Sequence, residues 1–305
     1  MNGGYVVAVG AACIDEYYRA GEWPAEGDKG LVTAMEEQVG GMIANAACVF
    51  AGYEETVYLL DSMNSGPVSK KLKKNLEQYG LNTSQILTDD QLPDARCMIV
   101  VTPTERTILI VDRGGFHRAL EPQTKKLLLG AACVYSSLTE FRRFPEPEAL
   151  ARELKAAGVR LVFDLEPSTF QNADDPLFRL ANILFFNETG LDKYCAGRDK
   201  DACINELLRS GVEIVVTTLG AEGCSCRTLQ ETVRIPGIPV PVVDTTGAGD
   251  TFNSSFVHCI LRGETLAYAA RFANAAAAHA VTVLGPKGGV TSRAAVKSFM
   301  KEYYR

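Results

Sequence analysis

Short apolar runs rich in β-branched residues alternate along this chain with longer segments of mixed polarity. Residues 5–9 read YVVAV, apolar at every position, the pattern of a parallel strand buried on both faces. Residues 56–60, 133–136, 161–163, 183–186 and 214–217 have the same character. Between them lie segments with helical patterning. Residues 42–51 are small and apolar, residues 68–79 are amphipathic and Lys-rich and stop at Gly80, and residues 122–129 begin at a Pro suited to a first turn. Residues 147–157 end at Gly158, and residues 202–209 end at Ser210-Gly211. The last third is more helical, with helices predicted over 251–261, 266–283 and 294–303. The alternation predicts an α/β fold with a mostly parallel sheet and helices on both faces.

Two stretches break that rhythm. Residues 95–101 and 106–111, joined through Pro103-Thr104, read as a hairpin with one face covered and the other open. Residues 17–38 contain Trp23-Pro24, Gly27-Asp28 and a strand-like run over 30–35. Together they predict a small second sheet projecting from the main one.

At 305 residues, with 47% hydrophobic and 22% charged, the chain is long enough to bury a large core and is neither disordered nor fibrous. Its 31 Lys+Arg against 37 Asp+Glu leave a net charge of −6, with no dense basic patch, which argues against nucleic acid as a partner. The nine cysteines are odd in number and lack metal-finger spacing, so reduced, mostly buried thiols are expected, with Cys224 and Cys226 on opposite faces of a strand. The first eighteen residues have no basic segment and turn acidic at Asp15; they read as a first strand and not as a secretory signal, so a cytoplasmic location is expected. No apolar run approaches the roughly 20 residues that span a bilayer.

The chemistry concentrates at residues 242–255, VVDTTGAGDTFNSS. An apolar run enters and a helix leaves. Gly247, Ala248 and Gly249 free the backbone to present N–H groups at a helix start, where the dipole also favours an anion. Asp250 falls in the first helical turn. As a bare pattern this is a capping carboxylate; beside an anion site it is also what phosphoryl transfer to an alcohol needs, a base for the hydroxyl proton and donors for the phosphate charge.

The segment Asp244-Thr245-Thr246-Gly247-Ala248-Gly249-Asp250 resembles the C-terminal signature of the ribokinase-like (PfkB) carbohydrate kinases. Gly40-Gly41-Met42-Ile43-Ala44-Asn45-Ala46-Ala47, roughly 200 residues earlier, is similar to that family's N-terminal element. Val9-Gly10 followed by Asp15, Glu105-Arg106-Thr107, Phe163-Asp164, Asn187-Glu188 and Thr218-Leu219-Gly220…Gly223 match further landmarks in the expected order. The resemblance covers essentially the whole chain.

It implies a ribokinase-like fold in a single kinase domain over 1–305, with a β-sheet lid from about 17–38 and 95–112. The activity implied is ATP-dependent phosphorylation of a hydroxyl on a small sugar or sugar-like substrate, with ATP, Mg²⁺ and K⁺ as cofactors and a homodimer formed through the lid. Residue by residue, it makes Asp250 the base and Gly247, Ala248 and Gly249 the anion hole. Asp15, Gly41 and Asn45 become substrate contacts, Asn187, Thr218, Gly220 and Asn274 ATP contacts, and Asp244 and Thr246 monovalent-cation ligands.

Each residue also has a structural role open to it. Asp15 could be a solvated turn residue, Asn45 a cap, and Asn274 a partner for a neighbouring loop. His279 reads as a core histidine, Arg113 and His117 as solvated, and Tyr17, Tyr18 and Trp23 as packing. The chain departs from the family at Met42, where many members have Lys, at Cys13, where a small polar pattern with Asn is usual, and at Gly190, where a Glu orients water around Mg²⁺. The first two changes argue against ribose as substrate. The third shifts that task to Glu188 or Asp192, or weakens catalysis. The readings kept beside a sugar kinase are therefore a nucleoside kinase of the same family and a ligand-binding protein with weakened or lost transfer. A dinucleotide oxidoreductase lacks the required G-x-G-x-x-G after Val9.

Overall fold

The computed structural model describes residues 4–104 and 106–304. Strand β1 (Val6–Val9) leads into β2 (Cys13–Ala20) and β3 (Val32–Gly40), then α1 (Met42–Gly52), β4 (Val57–Leu60), the two-residue β5 (Ser62–Met63), α2 (Pro67–Gln78) and the two-residue β6 (Leu87–Thr88). The hairpin β7 (Arg96–Val101) and β8 (Arg106–Ile110) precedes α3 (Pro122–Leu129), β9 (Cys133–Ser137), α4 (Leu138–Phe141), α5 (Pro147–Ala156) and β10 (Arg160–Leu165). Then come α6 (Leu177–Leu180), β11 (Ile183–Asn187), α7 (Glu188–Cys195), α8 (Lys200–Arg209), β12 (Ile214–Thr218), β13 (Cys224–Arg227), β14 (Thr232–Ile235), α9 (Ala248–Leu261), α10 (Leu266–Ala280) and α11 (Arg293–Tyr303).

Eight strands form one sheet in the order β14-β13-β12-β11-β10-β9-β1-β4. From β4 to β12 neighbours are parallel, and β13 and β14 add an antiparallel edge. The parallel strands are mostly apolar because both faces are covered, with polar residues gathered near their carboxyl ends, such as Ser137, Asp164, Asn187 and Thr218. One face packs on α1, α9 and α10 through residues such as Phe50, Phe256 and Phe272, the other on α5 and α8 through Leu154, Leu161 and Leu207. Strand order reverses around β1, so the carboxyl ends of β1, β9 and β10 open onto one crevice, the usual place for a ligand in such sheets.

The two irregular stretches form a four-stranded sheet, β3-β2-β7-β8, with β2 and β7 parallel and both outer pairs antiparallel. It starts earlier than the expected 17–38 segment. Residues 13–16 already pair with β3 and β7, so Asp15 is a buried strand residue and not a solvated turn. The polar residues within β2 disguise a strand that is covered on one face only. Glu105, part of the expected lid-strand landmark, lies outside the described residues, as do residues 1–3 at the start of the chain.

All nine cysteines are free and buried. Cys224 and Cys226 share one face of β13, contrary to the expectation, because side chains two apart on a strand point the same way. Arg113 is not solvated. Its guanidinium lies 3.5 Å from the buried Asp61 carboxylate and also donates to the Ser62 carbonyl. Arg118, fully buried, pairs with Glu140 at 3.0 Å and reaches Asp61 at 4.0 Å. His117 is exposed, Trp23 is half exposed, and His279 is half-buried with its ring edge-on to Phe299.

Candidate active site

The Gly-rich turn and the Gly-Gly helix start meet in the crevice. Gly247 caps α9 in the left-handed region (φ +76°), where a β-carbon would also collide with the Pro286 carbonyl, so two separate constraints demand glycine. Helix α9 starts at Ala248, three residues before the expected boundary, so Gly249 and Asp250 lie in its first turn. The first N–H groups of a helix have no intrahelical acceptor. Here the N–H of Thr251 is the one that closes the first turn, onto Gly247 O. Ahead of it the Ala248 N–H donates to Thr245 O at 3.3 Å, and nothing lies within 4 Å of where a β-carbon on Gly249 would stand.

Gly41 caps α1 with φ +105° and backs against the Ala11 carbonyl. One turn on, the buried Asn45 donates from Nδ2 to Asp250 Oδ2 at 2.9 Å, joining the two motifs across 205 residues of sequence. Burial, and next the charge of Asp164, push the Asp250 carboxyl well above the ordinary aspartate range; Asn45 opposes the shift. Asp164, at the end of β10, accepts from Tyr135 Oη at 2.7 Å and Asn253 Nδ2 at 2.8 Å, yet burial still raises its pKa. Glu166 follows, raised to about 7 by desolvation and by Asp164. In the sequence Asp164 stands out only as a strand landmark, and Glu166 does not stand out at all. No local pattern marks a carboxylate whose partners come from a neighbouring strand and a distant helix.

Asp15 sits on β2, buried, and its charge is among those that raise the Asp250 pKa. Cys13 donates from Sγ to Asp15 Oδ1 at 3.3 Å, and burial raises the Asp15 pKa. Gly40 must be glycine because Asp15 occupies the space of its β-carbon. Through the strand register Asp15 and Tyr17 share a face with Cys97, Ile99, Ile108 and Ile110. Ile108 and Ile110 remain 46% and 69% exposed, which leaves an apolar cover on the Asp15 side of the lid. Arg106, on the same face, reaches across to donate to Thr246 Oγ1. Lys287 donates to the Val39 carbonyl and stands over the Tyr79 ring at 5.4 Å.

Asp244 Oδ1 accepts from the N–H and hydroxyl of Thr246 at 2.9 and 2.7 Å, and Oδ2 accepts from Gly285 N–H at 2.9 Å. Burial would raise its pKa, but these donors hold it below the ordinary value. Gly220 and Asn274 line one cavity of about 700 Å³ together with Ile238, Val240, Thr245 and Ala248. Asn274 also donates to Pro236 O at 2.7 Å, so it both ties down a loop and borders the cavity. Thr218 ends β12 with its hydroxyl 3.5 Å from Phe186 O and does not line that cavity. Asn187 caps α7, its Oδ1 accepting from Gly190 N–H at 2.7 Å. Of the two carboxylates suggested as substitutes for the family glutamate, Asp192 is paired with Lys200 at 2.5 Å, and Glu188 is exposed at the start of α7. A β-carbon on Gly190 would stand 2.5 Å from the Leu165 carbonyl, so a glutamate cannot simply be restored there.

A sequence model described as "pfkB family carbohydrate kinase" matches residues 4–293. The chain belongs to the pfkB family. It is accordingly an enzyme, a carbohydrate kinase that uses an alcohol group as acceptor. Among its relatives, a ribokinase of Haemophilus influenzae is 28% identical over 86% of this chain and 87% of that protein. A nucleoside kinase of Methanothermobacter thermautotrophicus is 25% identical over 98% of this chain and 96% of its own length. In fold, the chain is similar to an Arabidopsis thaliana ribokinase solved with ribose and ATP, with a TM-score of 0.83, 24% identity, and 98% and 99% of the two chains covered. A putative ribokinase II from E. coli, solved with ATP and Mg²⁺, superposes at 0.81 with 18% identity over 98% of this chain and 100% of that one. The large mostly parallel sheet with a smaller one beside it is the ribokinase fold expected from the sequence. Among the described residues no helix is long and apolar enough to cross a membrane.

Proposed function

We propose that this kinase phosphorylates a hydroxyl of a small sugar or sugar-like molecule with ATP. The observation that carries the reading is Asp250, a carboxylate held by Asn45 in the first turn of α9, directly after the glycine turn that starts that helix. Asp250 takes the hydroxyl proton of the acceptor as that hydroxyl oxygen bonds to the γ-phosphorus and the bond from there to the β-phosphate oxygen breaks, releasing ADP; the N–H groups of Gly247, Ala248 and Gly249 receive the charge that develops on the phosphate. The base of ATP occupies the apolar cavity bordered by Gly220 and Asn274, with its phosphates running past Thr245 and Ala248. Asn187 and Thr218, register partners at the carboxyl ends of β11 and β12, are read as the further ATP contacts, Asn187 toward the phosphates. Asp15, Gly41 and Asn45 hold the acceptor, and the lid closes over it to exclude water.

Asp164 and Glu166, whose charges both reach Asp250, supply hard oxygens that would hold Mg²⁺ through its waters, and the bound charge would offset that of the phosphates; Asp250 stays free as the base. Asp244, kept ionised, and the carbonyl of Thr246 suit a monovalent cation such as K⁺. The apolar outward residues Val32, Met98 and Leu109, with the two open strand edges of the lid, favour a second copy of this chain as partner.

Ribokinase and nucleoside kinase relatives leave the acceptor open between sugars and nucleosides. Ile108 and Ile110 on the Asp15 face, with Cys13 and Met42, favour one with an apolar or less hydroxylated face over ribose. An ADP-release assay over a panel of sugars, sugar acids and nucleosides tests this. The expected result is transfer to at least one compound with kcat/KM above that for D-ribose. If ribose equals or exceeds every other compound, the apolar-face argument fails. ATP binding without turnover on any of them would favour the ligand-binding reading.

A further inference from the structure

Three donor atoms converge on the inner face of the lid. Cys13 and Asp15 lie two apart on β2 and so point the same way, and Cys97 is the direct register partner of Asp15 on β7. Cys97 Sγ is 3.4 Å from Cys13 Sγ, Cys13 Sγ is 3.3 Å from Asp15 Oδ1, and one ligand atom from each residue lies within 4.8 Å of the other two. All three side chains are buried, at 7 to 9% exposure.

A tetrahedral zinc-class ion, with metal–sulfur bonds near 2.3 Å and metal–oxygen bonds near 2.0 Å, sets its ligands about 3.8 Å (S···S) and about 3.5 Å (S···O) apart. The observed spacings fall short of these by only a few tenths of an ångström, which side-chain rotation supplies. Two thiols and a carboxylate are a soft donor set, which favours Zn²⁺ or Cd²⁺ over Mg²⁺. Being on adjacent strands of one sheet, they are held in place before any ion arrives.

We propose that Cys13, Cys97 and Asp15 form a site for one thiophilic divalent cation, with its fourth position open toward the crevice. Binding displaces the two thiol protons to solvent and forms two metal–sulfur bonds and one metal–oxygen bond, with no change of oxidation state. It occupies the carboxylate that would otherwise receive substrate hydroxyls, so the ion inhibits the kinase. This inhibition rests on the acceptor site proposed above; the binding of the ion does not.

The test is a titration of the reduced, full-length protein with Cd²⁺ in the presence of excess Mg²⁺, following the thiolate-to-metal charge-transfer absorption in the ultraviolet. The expected result is one ion per chain. Cys97→Ser and Cys13→Ser should weaken binding by more than the roughly 10–100-fold that even an outer-shell partner is worth. Cys259→Ser, remote from the lid, should leave binding unchanged. Asp15→Asn keeps both thiols and should lower affinity while retaining the absorption band, which covers the case of a serine variant that fails to fold. Absence of the band, or its persistence in the Cys13→Ser/Cys97→Ser double variant, overturns the site. Cd²⁺ should also inhibit turnover of the native enzyme, reversibly on chelation. Stoichiometric binding without inhibition would uphold the ion site and overturn the placement of Asp15 in the acceptor pocket.

Discussion

Replacing Asp250 by Asn separates chemistry from stability, and the two should move in opposite directions. The amide has the shape of the carboxylate and can still accept from Asn45 Nδ2, so the contact at 2.9 Å survives. What is lost is the base, at a cost of roughly 10²–10⁴ in kcat. What is also lost is a buried negative charge beside Asp164, which holds the Asp250 pKa well above the ordinary aspartate range. The sign follows from linkage. Below the unfolded pKa of about 3.9 the group is protonated in both states and imposes no penalty. As pH rises from there through the raised folded pKa, the unfolded chain ionises first and native stability falls, by about 1.4 kcal/mol for each pH unit that separates the two pKa values. Asn escapes that loss. Urea unfolding of both proteins across a pH series, with ADP release measured in parallel, should show Asp250→Asn gaining stability over the native protein as pH rises, with little difference near the acid end. A mutant no more stable than the native enzyme at alkaline pH would refute the burial argument. One that keeps more than about half of native turnover, with chemistry rate-limiting, would refute the assignment of the base.

The same raised pKa should displace the acid limb of the kcat/KM profile above the usual carboxylate range, because a protonated Asp250 cannot accept the acceptor proton; a limb at an ordinary aspartate pKa would contradict this. Gly190→Ala should cost about 1–3 kcal/mol in urea unfolding, since its β-carbon would crowd the Leu165 carbonyl at 2.5 Å and Asn187 Oδ1 at 2.9 Å; a stability unchanged from native would show that the turn relaxes freely. K⁺ at constant ionic strength should stimulate turnover relative to Na⁺ or a bulky organic cation, an effect that Asp244→Asn should abolish. Met98→Glu with Leu109→Glu should shift a dimer to monomer in light scattering after size exclusion, and a native protein already monomeric at tens of micromolar would remove the lid interface.

The main sheet was legible in the sequence because strands covered on both faces are apolar along most of their length, as at β1, β9 and β11, with polar residues only at the carboxyl ends of the last two, and their helices end at glycines. The glycine turn and Asp250 were legible for a related reason: a left-handed residue packed against the Pro286 carbonyl tolerates no side chain, so the chemistry leaves a local mark. Residues 13–16 were not, since a strand covered on one face carries charges that read as a turn. Nor were the roles of Asp164, Glu166, Cys97 and Arg106, or the burial of Arg113. Each depends on partners brought in from distant parts of the chain, and nothing near it in the sequence records them. Pairwise distance and burial, which set the Asp250 pKa and join Asn45 to it across the molecule, exist only once the sheet has placed the two helix starts in one crevice.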